Sequence, residues 1–146
     1  MFRCQRICGR TGSHKIEKHV KYILLVHHNE DNFAKMPRTE QQQMRDESVR
    51  LANQIHADGQ YLDAAPLHPT SMTTCVRVRE GKSVITDGPF VETREHLGGY
   101  YLVDVENLQQ AIAIAARIPG ARLGAVEIRP TVELPGLPEI SDIRHR

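Results

Sequence analysis

The chain has few cysteines and lacks any hydrophobic run long enough to cross a membrane. Its three cysteines, Cys4, Cys8 and Cys75, are an odd number without the spacing of a disulfide framework. No apolar stretch approaches the roughly 20 residues of a membrane-spanning helix, and the N-terminal region lacks the apolar core of a signal peptide. We therefore expect a soluble, cytoplasmic protein without a membrane partner.

An excess of charge of one sign is also missing. The formal net charge is +1, and lysines and arginines are scattered apart from an arginine-rich start. No broad basic face is available to hold phosphates, so we expect no nucleic-acid partner. The chain has no dinucleotide fingerprint, no nucleophile elbow and no redox pair of cysteines. This leaves cofactor-free proton transfer or simple binding, and we expect no cofactor.

The length of 146 residues suits a single folded domain. Residues 1–19 are polar, basic and without periodicity, which predicts a disordered or add-on tail. Residues 20–134 are expected to form the folded domain and residues 135–146 a C-terminal tail. Val20 is a candidate for the true start, if it is read from an alternative initiation codon.

The hydrophobic pattern predicts the order β-α-β, a β-hairpin, then β-α-β. Strands are expected at 21–28, 60–67, 73–80, 82–88, 99–105 and 124–134, and helices at about 40–57 and 107–118. Thr39 and Gln42 are expected to form a capping box, and the segment before them to be a polar loop. This order favours an α+β fold with a ferredoxin-like antiparallel sheet, two helices on one face, and an extra β-hairpin.

A sheet covered by helices on one face leaves its second face bare. The first predicted strand is apolar on both faces, and residues 100–103 are apolar in succession. Such a face is expected to pack on a second copy of the chain, which predicts a homodimer.

The stretch "TDGPFVETREHLGG" carries the strongest signal for a site. Asp87, Gly88 and Pro89 are strong turn residues, and Phe90 can anchor the turn by burying its ring. One interpretation is a rigid connection with solvated charges. The other is that the turn orients and partly desolvates Asp87, which makes this carboxylate our first candidate for a general acid or base. Further polar groups follow at Glu92, Arg94, Glu95 and His96, but sequence order does not show which of them point inward.

Histidines are the candidate partners of Asp87. His27 and His28 end the first strand, and His68 lies in a predicted loop. An Asp-His pair can move a proton near neutral pH, so Asp87, His28 and His68 are the catalytic candidates. Solvated strand-end histidines are the alternative interpretation. No i, i+4 pair or cysteine cluster accompanies these histidines, so we expect no metal site.

Arginines and aromatic residues supply the candidates for substrate binding. Arg77 and Arg79 share one face of a strand and can meet an anionic substrate, or they form a solvated strand face. Tyr100 and Tyr101 point to opposite faces, so that one can line a pocket while the other packs in the core. Phe90 and Tyr101 complete the set of substrate-binding candidates.

The stretch "VRVREGKSVITDGPFVETREHLGGYYLVDV", with the later helix and "AVEIRPTVEL", resembles the DGPF family of YCII-related domains over about residues 20–134. The residues that match its signature are Asp87, Gly88, Pro89, Phe90, Glu92, Thr93 and Glu95. Val91 stands where alanine is usual, and Arg94 where lysine is usual. The resemblance implies a ferredoxin-like fold that pairs into a dimeric α/β barrel. It does not imply a particular reaction.

Two functions follow from the residues and the resemblance. The first is a small-molecule-binding protein, acting as a cofactor-free enzyme through Asp-centred general acid/base chemistry on a substrate still to be identified. The alternative is a non-catalytic interaction or ligand-sensing module with a regulatory protein partner, linked to alternative sigma factor regulation as the resemblance implies. If the candidate catalytic and binding residues lie around one cleft, the enzymatic function is favoured.

Overall fold

A computed structural model of the chain describes residues 19–140. Its strands are β1 (Val20–His28), β2 (Tyr61–Pro66), β3 (Thr74–Arg79), β4 (Lys82–Asp87), β5 (His96–Val105) and β6 (Ala125–Pro130). Its α-helices are α1 (Glu30–Lys35), α2 (Arg38–Ala57) and α3 (Leu108–Arg117), with short 3-10 turns at Thr70–Met72 and Pro119–Arg122. The predicted N-terminal tail, apart from His19, lies outside the described residues, as do residues 141–146 of the predicted C-terminal tail.

Four strands form one antiparallel sheet in the order β2-β5-β1-β6, and β3 pairs with β4 in a separate two-stranded sheet. The first strand is central, because β1 pairs with β5 on one side and with β6 on the other. The sheet order and the β-α-β arrangement are those of an α+β protein with a ferredoxin-like fold. This confirms the fold class predicted from the order of the elements.

One face of the four-stranded sheet forms the core with α2 and α3. In β1 the buried side chains alternate along the strand, at Tyr22, Leu24 and Val26. Helical spacing supplies the other layer, with Leu51 and Ile55 buried from α2 and Ala111, Ile114 and Ala115 buried from α3. The two periodicities, 2.0 in strands and 3.6 in helices, therefore bring apolar residues from distant segments into one cluster.

The predicted start of the long helix is wrong in detail. Helix α2 begins at Arg38 after Pro37, so Thr39 lies inside the first turn and does not form a capping box. The segment predicted as a polar loop contains the six-residue helix α1. The Asn29 side chain caps this helix by accepting a hydrogen bond from the Asn32 backbone N–H at 2.9 Å. Six residues are too few to show a clear apolar period, which explains why the pattern missed α1.

The hairpin turn agrees with the sequence. Glu80 and Gly81 both have positive φ angles, 50° and 74°. This is the backbone conformation of a two-residue type I′ turn, for which glycine is favoured. No helix in the described part of the chain is long and apolar enough to cross a membrane.

The second face of the four-stranded sheet, called the open face below, remains partly exposed. The half-buried side chains Ile23 and Leu25 of β1 lie opposite Leu102 and Tyr100 of β5 on this face. The Tyr100 hydroxyl donates a hydrogen bond of 2.6 Å to Asp63 Oδ2 on neighbouring β2. This hydrogen bond, with smaller contributions from burial and the negative charge of Asp63, raises the pKa of Tyr100.

Candidate functional site

A cleft of about 630 Å³ opens where the end of β1 meets the start of β5. Its walls come from residues between Leu67 and Thr73 and from residues between Pro89 and Leu97, and His27 of β1 also lines it. The Asn29 side-chain amide donates a 2.9 Å hydrogen bond to the Arg94 carbonyl, which ties the second wall to the end of β1. The cleft is therefore built by two loops fixed around the two central strands.

Apolar side chains dominate the rim of the cleft. Phe90 is 74% exposed and Met72 is 67% exposed, and both line the cleft, as do Leu67, Val91 and Leu97. Apolar side chains that converge on one concavity are typical of sites for small molecules, because a ligand removes them from water.

His96 lines the cleft, and the carboxylate of Glu30, which does not itself line the cleft, lies next to it. His96 Nδ1 lies 4.0 Å from Glu30 Oε2, and both side chains are largely buried. Thr70 fixes the carboxylate, because its backbone N–H donates to Oε1 and its hydroxyl donates to Oε2, each at 2.8 Å. Three segments distant in sequence, α1, the 70–72 turn and β5, thus meet at this His96–Glu30 pair.

The surroundings of Glu30 favour its ionised form. Burial by itself would raise the pKa of this carboxyl group. The hydrogen bonds from Thr70, together with the nearby imidazoles of His96 and His28, outweigh burial and lower the Glu30 pKa below its usual value of 4.5. Glu30 is therefore a negatively charged carboxylate at neutral pH, held in one orientation beside an imidazole ring.

Three imidazole nitrogens near the cleft are left unpaired in the described part of the chain. His27 Nε2, His28 Nδ1 and His96 Nδ1 are buried and have no hydrogen-bond partner among residues 19–140. Buried polar atoms are normally paired, since leaving one unpaired costs about 1–3 kcal/mol. His27 and His96 line the cleft directly, while the His28 ring lies against Phe33, with ring centroids 5.5 Å apart.

Close approach explains the Gly98-Gly99 pair. A Cβ at Gly98 would collide with His28 Nε2, and a Cβ at Gly99 would lie 3.0 Å from the Ala65 carbonyl oxygen of β2. The β1–β5 register shifts at this point, between Val26 and His27. The two glycines therefore let β5 run past both the His28 ring and β2, so the strand begins at His96 rather than at the predicted residue 99.

Asp87 lies on the hairpin and does not line the cleft. It is the last residue of β4, where it is exposed and paired in register with Thr74. The turn after it is held by backbone, since the Gly88 N–H donates to the Thr73 carbonyl at 2.8 Å. The Cys75 thiol also donates to the Gly88 carbonyl at 3.2 Å. These contacts stiffen the Asp-Gly-Pro-Phe turn and aim Phe90, rather than Asp87, at the cleft.

The other sequence-predicted residues fall into two groups. His68 lines the cleft, and Arg77 reaches its rim by placing its guanidinium carbon 5.4 Å from the centre of the Phe90 ring. Arg79 is exposed at the hairpin tip. Tyr101 is 7% exposed in the core, where its hydroxyl donates to the Ser48 carbonyl at 3.3 Å.

Sequence reasoning missed the roles of Glu30 and Thr70 and could not orient His96. Glu30 follows the two strand-end histidines closely, which was a usable signal, but it was placed in a loop. Thr70 carried no signal, because only the tertiary structure brings its hydroxyl to Glu30. Residues 19–140 contain no group of three or more His, Cys, Asp or Glu side chains arranged to hold a metal ion.

We expect Glu30→Gln to lower the free energy of unfolding by about 1 kcal/mol at pH 7, because it removes a hydrogen-bonded charge. The Glu30 pKa is lower in the folded state than in the unfolded chain. Its stabilising contribution is therefore present above pH 4.5 and is lost as the pH falls through the lower, folded-state pKa. Urea unfolding of the wild type and the variant at several pH values should show the difference shrinking in acid. Glu92→Gln, at an exposed loop position, is the control, and a difference that persists in acid would contradict the prediction.

Comparison with known proteins identifies the chain's relatives. The family model of the YCII-related domain matches residues 20–135. A protein of Rhizobium meliloti (strain 1021), described as uncharacterized, is 32% identical over 112 residues, which are 75% of this chain and 90% of that protein. The match to the family model includes the four-stranded sheet and both walls of the cleft. The chain belongs to the YCII-related domain family.

Proposed function

We propose that the chain binds a small molecule in the cleft and acts on it by cofactor-free general acid/base chemistry. The observation that carries this proposal is that His96, with the Glu30 carboxylate beside it, lines an apolar-walled cleft. A site of this kind offers a place for a ligand body and a group that can exchange a proton with it.

The lining suggests the class of ligand. Phe90, Met72 and Leu67 offer contact to a flat or apolar body. The imidazole rings of His27 and His96 line the cleft and can hydrogen-bond one polar head, such as a carbonyl, a phenol or an enol oxygen. We therefore propose a compact, mainly apolar molecule with a single oxygen-rich end.

The acid/base role falls best on His96. A histidine can transfer a proton near neutral pH, and the Glu30 carboxylate, fixed by Thr70, lies 4.0 Å from its Nδ1 atom. The roles predicted from sequence for Asp87, His28 and His68 remain predictions. Of these, His68 has the most direct access to a ligand because it lines the cleft.

The homodimer predicted from sequence is part of this proposal. The open face exposes part of Ile23, Leu25, Leu102 and Tyr100 in one continuous patch. Packing this patch on that of a second copy would remove it from water and would give the dimeric α/β barrel implied by the family resemblance.

The test is a titration of ¹⁵N-labelled protein with a library of small phenols, lactones and aromatic acids. Binding is measured as changes in the backbone amide chemical shifts. We expect the best binder to shift residues 67–73 and 89–97. Phe90→Ala and His96→Gln should each weaken its binding about tenfold or more, because they remove an apolar contact surface and a polar partner. Val49→Ala and His56→Gln, at exposed positions of α2, are the matched controls.

The variant Asp87→Asn tests whether Asp87, the first candidate from the sequence, has a role apart from the cleft. If the cleft alone binds and turns over the ligand, this variant should leave both affinity and turnover unchanged. Loss of turnover in Asp87→Asn with normal His96→Gln activity would instead favour the Asp-centred mechanism. Shifts confined to residues away from the cleft would contradict the proposed site altogether.

The alternative, an interaction or ligand-sensing module linked to alternative sigma factor regulation, is favoured by one observation. Hairpin β3–β4 exposes aliphatic side chains, with Ile85 66% and Val76 61% exposed, as expected of a surface that meets another protein. Incubating the protein with its best binder and recording the ligand spectrum over hours distinguishes the two functions. A ligand recovered unchanged supports sensing, and a converted ligand supports catalysis.

A further inference from the structure

A second cavity, of about 440 Å³, lies between α2 and the end of α3. In the described part of the chain its lining contains three arginines, which are Arg50 of α2, Arg117 of α3 and Arg122 of the turn after α3. Glu47 of α2 supplies the one carboxylate of this lining, so the lining has a net charge of +2. We call it the arginine cavity, and it shares no lining residue with the cleft described above.

Side chains of α2 hold two of the three guanidinium groups in place. Arg122 donates from Nη1 to Glu47 Oε1 at 2.9 Å and from Nη2 to Glu47 Oε2 at 2.8 Å. Arg117 donates from Nη2 to the side-chain oxygen of Gln54. These two groups are therefore oriented before any ligand enters, which lowers the entropic cost of binding.

Most of the donors of the three arginines are left for a ligand. A guanidinium group carries five N–H donors. Arg122 uses two of them on Glu47, and Arg117 uses one on Gln54. Arg50 makes no hydrogen bond within residues 19–140, and its interaction there is an electrostatic attraction to Glu47.

The charges around the arginine cavity are not balanced by the protein. Glu47 neutralises one of three positive charges, and the remaining like charges repel one another across the cavity. An anion inside the cavity would remove this repulsion. Ion pairing within the fold accounts for Arg122, but it does not account for Arg50, which lies on the same cavity without a hydrogen-bonded partner in the described chain.

We propose that the arginine cavity binds the phosphate dianion of a small phosphate monoester. Arginine forks match the oxygens of phosphate, and a phosphate monoester presents three terminal oxygens to three guanidinium groups, whereas a carboxylate presents two. The volume is that of a small-molecule site. Leu51 and Ala116 of the lining offer apolar contact to the rest of the ester.

This site lies apart from the cleft and does not depend on the function proposed for it. Methyl phosphate, a dianion at pH 7.5 because its second pKa is near 6, is titrated into the ¹⁵N-labelled full-length protein at constant ionic strength. We expect saturable amide shifts at residues 47–54 and 116–122, with a Kd of about 1 mM or below. Shifts that do not saturate, or that fall only at residues 67–73 and 89–97, would overturn the proposal.

Arg50→Gln should raise the Kd for methyl phosphate about tenfold, because it removes charged hydrogen bonds to the phosphate. The matched control is Arg45→Gln, which makes the same charge change at an exposed position of α2 outside the cavity. It should change the Kd by less than about twofold, since solvent and salt screen a distant charge. Equal weakening by both variants would show a general attraction to positive charge and would contradict a defined site.

Glu47→Gln should act in the opposite direction and lower the Kd roughly threefold, because it removes a like charge from the site. The substitution also releases two Arg122 donors. Asp46→Asn, at the neighbouring exposed position outside the cavity, is the control for loss of a negative charge. Unchanged or weaker binding by Glu47→Gln would overturn the arrangement. Should that variant unfold, Arg50→Gln still decides, since Arg50 makes no hydrogen bond in the described chain.

The two sites fail or succeed separately. His96→Gln should leave the Kd for methyl phosphate unchanged, and Arg50→Gln should leave the affinity of the best cleft binder unchanged. Loss of methyl phosphate binding in His96→Gln would make phosphate a ligand of the cleft and would overturn the arginine site. Absence of any cleft binder would overturn the proposed function and leave the arginine site standing.

Discussion

Leu24→Ala is expected to lower the free energy of unfolding by about 3 kcal/mol. Leu24 is fully buried, at 0% exposure, and lies in the middle of β1, the strand that pairs on both sides. Removing its side chain leaves a cavity among the apolar residues of the sheet, α2 and α3. The cavity cannot close, because β1 is paired on both sides. Urea unfolding followed by circular dichroism measures the loss.

Leu25→Ala is the matched control for this prediction. Leu25 is the next residue of the same strand, but its side chain points to the open face and is only half-buried. We expect a loss of about 1 kcal/mol in dilute, monomeric protein, because less apolar surface is returned to water. The same variant should weaken a homodimer formed through the open face. Equal losses for Leu24→Ala and Leu25→Ala in the monomer would contradict the assignment of the two faces.

Gly124→Ala is expected to cost about 3 kcal/mol, because the added methyl group overpacks a backbone contact. A Cβ at this position would collide with the His27 carbonyl oxygen and would lie 3.0 Å from His28 Cα. A side chain can rotate away from such a clash, but the end of β1 cannot move without disturbing its pairing with Ala125 of β6. Thermal unfolding measures the loss of stability.

The control is Gly59→Ala, in the turn after α2. Nothing lies within 4 Å of a Cβ there, and the cost comes from its φ of +75° alone, which is about 1 kcal/mol. Because β1 ends in the cleft, Gly124→Ala should also weaken ligand binding, whereas Gly59→Ala should not. A Gly124→Ala variant as stable as Gly59→Ala would show that β1 and the 119–124 turn separate more easily than the packing suggests.

The order of elements was predictable because it depends on local patterns. The short continuous apolar run that begins β1 marks a strand, and the apolar spacing of α3 marks a helix, whatever lies elsewhere in the chain. Boundaries were less predictable where close packing overrides local preference. Strand β5 begins at His96, since Gly98 and Gly99 lie inside the strand and make room for His28 and β2.

The candidate site was predictable only in part. The Asp-Gly-Pro-Phe stretch drew attention to the right loop, and Phe90 and His68 line the cleft. The carboxylate beside the imidazole, however, is Glu30, and Asp87 lies on the exposed hairpin. Residue order gives the chemical groups that a loop contains, but it does not give the direction in which each side chain points.

The sequence by itself determined the fold class, the Glu80-Gly81 hairpin turn and membership of the YCII-related domain family, since period, turn chemistry and motif are properties of neighbouring residues. Only the tertiary structure decided that Glu30, Thr70 and His96 meet. Their meeting depends on the sheet order, which places the end of β1 beside the start of β5 and closes two long loops over that edge. Contacts between residues distant in sequence are set by this packing, and no local pattern along the chain encodes them.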